Sequence, residues 1–234
     1  MKNTLFIILL TGFLALALAS CTKARFDTEV EATKYYDRGI IALNKHEFES
    51  SIQNFRQSIK LDPSNADAHY WLAVSMREQG LDFKRTINEF KKTLELDPTH
   101  EAAYRDLGIL YALAKRYDVG FKYLKKAIEL NPSDTLALIN LGYLYYLGKD
   151  YDKAKELYEK AKNIKPNIIQ LWNNYGLLNF TIGDLNKAEE CFKKSISLQA
   201  NQLEPYEYLA KIEKKRGNQE KVKYYENLVK EYKK

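Results

Sequence analysis

The sequence predicts an all-α chain, a superhelix or α-solenoid of about six helix-turn-helix repeats, the last a degenerate cap. Three observations predict it. Apolar residues recur at i, i+3, i+4 and i+7, as on one face of a 3.6-residue helix. Tyr104, Leu107, Gly108 and Tyr111 show this in one segment, and Tyr117, Phe121, Leu124 and Ile128 in the next. Landmarks return every 34 residues: Gly108, Gly142 and Gly176, and likewise Pro98, Pro132 and Pro166. The prolines fall where a second helix would end, because proline has no N–H to donate and cannot continue a helix.

The repeats fall at 32–65, 66–100, 101–134, 135–168, 169–202 and 203–234. Repeat two carries an extra residue around Gly80-Leu81, in the turn between its helices, where insertion is best tolerated. In repeat five Ala200 stands where proline is expected, and repeat six drifts from the pattern after Tyr206, Leu209 and Ala210. Small residues mark the points where paired helices cross. Gly39, Ala73, Gly108, Gly142, Gly176 and Ala210 occupy one side, and Ser51, Thr86, Gly120, Ala154 and Ala188 the other. A large side chain at such a crossing overpacks it, at a cost of about 1–3 kcal/mol.

A 34-residue helix-turn-helix period with these landmarks resembles the tetratricopeptide repeat (TPR) family. The resemblance covers residues 32–234. It implies an array in which each hairpin buries its apolar face against its neighbours, with no separate globular core. The composition agrees: 45% hydrophobic and 13% aromatic residues, including 18 Tyr, supply the faces of stacked helices. The two cysteines, Cys21 and Cys191, give no disulfide framework, and three scattered histidines give no metal-ligand spacing. No Gly-rich phosphate loop, nucleophile elbow or metal cluster is present, so neither a catalytic residue nor a cofactor is expected. Cys191 reads as a small buried hydrophobe.

The N-terminus places the chain. Lys2 is followed by an uncharged apolar run, residues 5–19, too short to span a bilayer and of the right length for a signal h-region. Leu18-Ala19-Ser20-Cys21 looks like a bacterial lipobox. That resemblance implies removal of residues 1–20 and acylation of Cys21, with residues 21–31 as a tether reaching at most about 35 Å. An ordinary signal peptide with a chance cysteine is the alternative. Residue 22 is Thr rather than the Asp of inner-membrane retention, so the expectation is an exported lipoprotein of the cell envelope, at the outer membrane facing the periplasm. The formal charge of +6 does not indicate nucleic acid in that setting. The excess is local: nine Lys and Arg face four acids within 211–234, which reads as a solvated capping helix or a basic foot for anionic lipid or an acidic partner.

In the TPR family the first helices of the repeats line a concave groove. The resemblance places Tyr36, Tyr70, Arg105, Ile139, Asn140, Tyr143, Tyr146, Asn173, Asn174 and Leu177 there, with Ile40 and Val74. Rings offer area at low entropy cost, and amides pair with a peptide backbone in both directions. The Lys and Asn of the eukaryotic chaperone-binding clamp are replaced at its first slots by Tyr36 and Ile40. The layout is similar to the pilotin-type TPR lipoproteins of type IV pilus biogenesis. It implies a non-enzymatic adaptor for envelope proteins or their peptide segments. Adaptors for envelope proteases or peptidoglycan hydrolases, and surface lipoproteins binding external protein, share the layout. The oligomeric state is not specified by the sequence.

Overall fold

The computed structural model describes residues 26–80 and 82–233, and all their regular elements are helices. Residues 1–20, expected as a signal segment, and Cys21, expected as the lipidation position, lie outside the described residues. Among the described residues, no helix is long and apolar enough to cross a membrane.

The chain divides into two compact units, Met1–Ala103 and Tyr104–Lys234. In the first, α1 (residues 26–44), α2 (Phe48–Leu61), α3 (Ala66–Glu78) and α4 (Phe83–Leu96) form two hairpins. Their core gathers Ile52, Phe55, Leu72 and Met76, flanked by Tyr36, Ile40 and Trp71. Residues 26–31 are helical, not an extended tether. This stretch has Phe26 and Val30 exposed and no apolar stripe, so periodicity gives no sign of it. The helix runs unbroken from residue 26 into the repeat, and within it the Thr33 hydroxyl donates to the Glu29 carbonyl at 3.0 Å.

The second unit begins within α5 (Glu101–Leu113) and adds seven helices. These are α6 (Tyr117–Leu130), α7 (Thr135–Leu147), α8 (Tyr151–Ile164), α9 (Ile169–Ile182), α10 (Leu185–Leu198), α11 (Leu203–Arg216) and α12 (Gln219–Tyr232). Successive cores run along it. Leu124, Ala127, Ala137, Leu141 and Leu144 form one, and Leu138, Tyr158, Leu171 and Tyr175 the next. Phe192, Tyr206, Leu209 and Ile212 form the last.

Local chemistry sets each boundary. Every hairpin turn holds one residue in the left-handed region: His46, Gly80, Lys115, Lys149, Gly183 and Gly217, with φ from 58° to 88°. The turns close with bonds such as Arg116 N–H to Tyr111 O and Asn218 N–H to Glu213 O, which satisfy carbonyls left over at helix ends. The connections between repeats use side chains. Asp62, Asp97 and Asn131 each accept a bond from the backbone N–H two residues on, across a proline. Asn65 and Asp134 then cap α3 and α7 through the N–H groups of Ala68 and Ala137. The small crossing residues leave no spare room. A Cβ on Gly39, Gly142 or Gly176 would lie 2.7 Å from a ring atom of Phe55, Tyr158 or Phe192.

Candidate functional site

The second unit carries a hollow of about 270 Å³ built from the first helix of each of its repeats. From α5 come Ile109, Ala112 and Leu113, and from α7 come Asn140 and Tyr143. Gln170, Asn174 and Leu177 follow on α9, and Glu204 on α11. The 34-residue register explains the assembly. Ile109, Tyr143 and Leu177 hold one slot in three repeats, Asn140 and Asn174 a second, and Gln170 and Glu204 a third. Identical hairpins stacked on one another bring equivalent positions side by side, so the hollow has an apolar row beside an amide row.

Its parts are held in place. Asn140 donates to the Leu136 carbonyl at 2.8 Å and accepts from the Gln170 amide at 3.2 Å. Tyr143 stacks on Tyr146 with ring centroids 6.1 Å apart, and the Tyr146 hydroxyl pairs with Thr181 at 3.1 Å. Burial raises the Tyr143 pKa above the usual phenol value, with Tyr117, Tyr146 and Glu204 adding to the effect. Its O–H therefore remains a donor at ordinary pH. Leu113, at 73% exposure, stands at the rim. Glu204 supplies the one acidic side chain of this hollow.

Of the residues assigned to the groove from the sequence, Asn140, Tyr143, Asn174 and Leu177 meet here, with Tyr146 alongside. The others lie elsewhere. Ile139 is fully buried in the core with Tyr158 and Trp172, because α7 is apolar on every side and packs on more than one. Asn173 donates to Gln202 at 2.9 Å, tying α9 to the connection before α11. Arg105 is an internal tie, its guanidinium 3.1 Å from both Asp106 and Asp134, two carboxylates almost wholly buried. Tyr70, in the first unit, is buried against Trp71, Phe90 and His100. Tyr36, in the same unit, is half-buried with its ring edge-on to Phe55. Val74 is buried there too. The sequence reading passed over Ile109, Ala112, Leu113, Gln170 and Glu204. Ile109 and Glu204 were reachable by stepping one repeat from Tyr143 and Gln170, had Gln170 been recognised.

The lining of the hollow holds no cysteine, histidine, serine or lysine. Cys191 is fully buried on α10, and burial pushes its pKa from 9.0 up to about 12, so its thiol is protonated and shielded. Among the described residues, no group of three or more His, Cys, Asp and Glu side chains is gathered where a metal would be held. The hollow presents apolar side chains, the Tyr143 ring and three amides.

Tandem helical hairpins with such a surface define a repeat-built interaction scaffold. The comparisons give the family. Tetratricopeptide repeat models match residues 99–167 and 169–202, and a TPR repeat model matches 43–80. The solved MamA structure is 30% identical, with 73% of this chain and 93% of MamA covered and a TM-score of 0.59. The chain belongs to the tetratricopeptide repeat family. PilF of Pseudomonas aeruginosa has the same fold at 21% identity, covering 89% of this chain and 93% of its own, with a TM-score of 0.76. PilW, described as a widely conserved type IV pilus biogenesis factor, is 18% identical, covers 85% and 91% respectively, and has a TM-score of 0.74. No curated protein matches the sequence.

Proposed function

We propose that this protein is a membrane-anchored TPR lipoprotein of the bacterial cell envelope. In this reading it is a non-enzymatic adaptor that holds a segment of another envelope protein in the hollow of α5, α7, α9 and α11. The observation that carries the reading is the row Ile109, Tyr143 and Leu177 beside the row Asn140 and Asn174. An extended or helical segment would bury apolar side chains on the first row and bond its backbone to the amides of the second. The anchor rests on Leu18-Ala19-Ser20-Cys21 behind an apolar run. Two or three acyl chains would make the attachment effectively permanent. The outer membrane, facing the periplasm, is the proposed location, on the strength of Thr22. Likeness in fold to PilW favours assembly of a pilus or secretin complex as the task.

The test is a pull-down from gently solubilised envelopes with acylated wild type beside a Tyr143→Ala/Asn174→Ala variant. An envelope protein captured by wild type and lost in the variant supports the reading. Equal recovery by both baits overturns it. Labelling with radioactive palmitate, abolished by Cys21→Ser, tests the anchor separately.

A further inference from the structure

A second concavity lies at the far end of the sixth repeat, between α11 and α12, with a volume of about 560 Å³. Its floor is apolar: Ala210 of α11 and Val222 and Val229 of α12. One repeat earlier the same positions are Gly176, Ala188 and Ser195. There Ala188 lies beneath Tyr206, Leu209 and Ile212 of α11 in a shared core. The concavity is thus the seat that a following helix takes. Repeat five has it filled by α11, and no described helix fills it on repeat six.

The rim has changed chemistry between the two repeats. Leu177, Phe180 and Ile196 of repeat five become Lys211, Lys214 and Lys230. These lysines line the concavity. Lys211 lies over the Tyr208 ring at 4.2 Å, and neither Lys214 nor Lys230 has an ion-pair partner among the described residues. Of the acids lining it, Glu207 is engaged by Lys233 at 3.2 Å, which leaves Glu226. Closing a repeat array against water needs only a polar outer face. It does not call for an apolar floor kept in a hollow, or for a rim of mostly one sign.

We propose that this end of the array is a docking seat for an acidic amphipathic helix of a partner protein. The helix lays its apolar side chains on Ala210, Val222 and Val229 and sets its carboxylates against Lys211, Lys214 and Lys230. A helix is the occupant that fits because the seat has the form of the one α11 fills. A flat anionic membrane does not reach a recessed floor whose Val222 is 7% exposed. A second copy of this end brings the same positive surplus and is repelled.

The test uses the full chain in detergent and two stapled, fluorescent peptides. One carries residues 203–216, the stretch that fills the seat on repeat five. The other is the same peptide with Lys211, Lys214, Lys215 and Arg216 each replaced by Glu. Anisotropy titration at low salt is expected to show the acidic peptide binding at least tenfold more tightly. Charge reversal of the protein by Lys214→Glu/Lys230→Glu, two exposed sites that leave the helical circular dichroism unchanged, reverses that preference. Tyr143→Ala, in the other hollow, leaves it intact. Equal affinity for both peptides overturns the proposal, as does loss of binding in Tyr143→Ala. So does a chain that takes neither peptide, whether it instead binds phosphatidylglycerol vesicles or self-associates.

Discussion

The closest crossing of helices gives the sharpest stability prediction. Gly108 on α5 meets α6 at Gly120 and Leu124, and an added Cβ would lie 2.6 Å from the Leu124 Cγ, 2.9 Å from its backbone nitrogen and 3.1 Å from the Gly120 carbonyl oxygen. Two of the three are backbone atoms, so relief requires the helices to separate. Gly142 holds the same slot one repeat on, but the three atoms nearest its added Cβ all belong to the Tyr158 ring, at 2.7, 3.1 and 3.2 Å. A ring can tilt. The second repeat already has Ala73 in this slot, fully buried, with Phe90 as the equivalent ring. Alanine in a helix interior gains about 1 kcal/mol over glycine, and overpacking costs about 1–3 kcal/mol. For Gly142→Ala the two nearly cancel, leaving stability within about 1 kcal/mol of wild type. For Gly108→Ala the overpacking sits at the top of its range, and the net loss is about 2 kcal/mol. Urea denaturation followed by circular dichroism reads the totals. Amide exchange should place the loss on α5 and α6. The reasoning is refuted if Gly108→Ala is as stable as Gly142→Ala.

Other consequences follow from buried polar groups. Arg105→Ala takes the guanidinium away from the Asp106 and Asp134 carboxylates, whose side chains are 4% and 6% exposed, and should cost about 3 kcal/mol in thermal or urea unfolding. The Tyr158 hydroxyl is buried without a hydrogen-bond partner, and Phe55, Phe90 and Phe192 fill its slot in other repeats. Tyr158→Phe should therefore stabilise the protein by about 1 kcal/mol in the same assay. Cys191 should resist iodoacetamide in the native state and react on unfolding. Because its folded pKa of about 12 lies above its usual value of 9.0, the unfolded chain loses that proton first. Its contribution is fully present below pH 9 and falls as pH rises toward 12, a loss that Cys191→Ala removes from the pH profile of stability.

The register made the hairpins legible, because a 34-residue recurrence of glycine, proline and apolar positions admits few other structures. The surface was legible only in part. Tyr143, Asn174 and Leu177 line the hollow. Ile139 does not, because the first helices of a stack are packed on more than one side, and α7 carries apolar residues all round. Periodicity then has no polar face from which to orient the helix. The internal ties of Arg105 and Asn173 were not legible, for a related reason. Their partners, Asp134 and Gln202, lie 29 residues further on, beyond a whole second helix, and only the fold brings them within reach. The left-handed turn residues His46, Lys115 and Lys149 gave no signal, since a hairpin turn leads one to look for glycine. Glu204 stayed hidden because it belongs to the repeat that departs most from the pattern.

The central claim is that the hollow of α5, α7, α9 and α11 is the contact surface. It is tested most directly by placing a photo-crosslinking amino acid at Leu113, on the rim, and separately at Lys160, exposed on the second helix α8. Irradiation of intact cells is predicted to yield a discrete protein adduct from Leu113 and none from Lys160. An adduct from Lys160 alone, or from neither position, would contradict it.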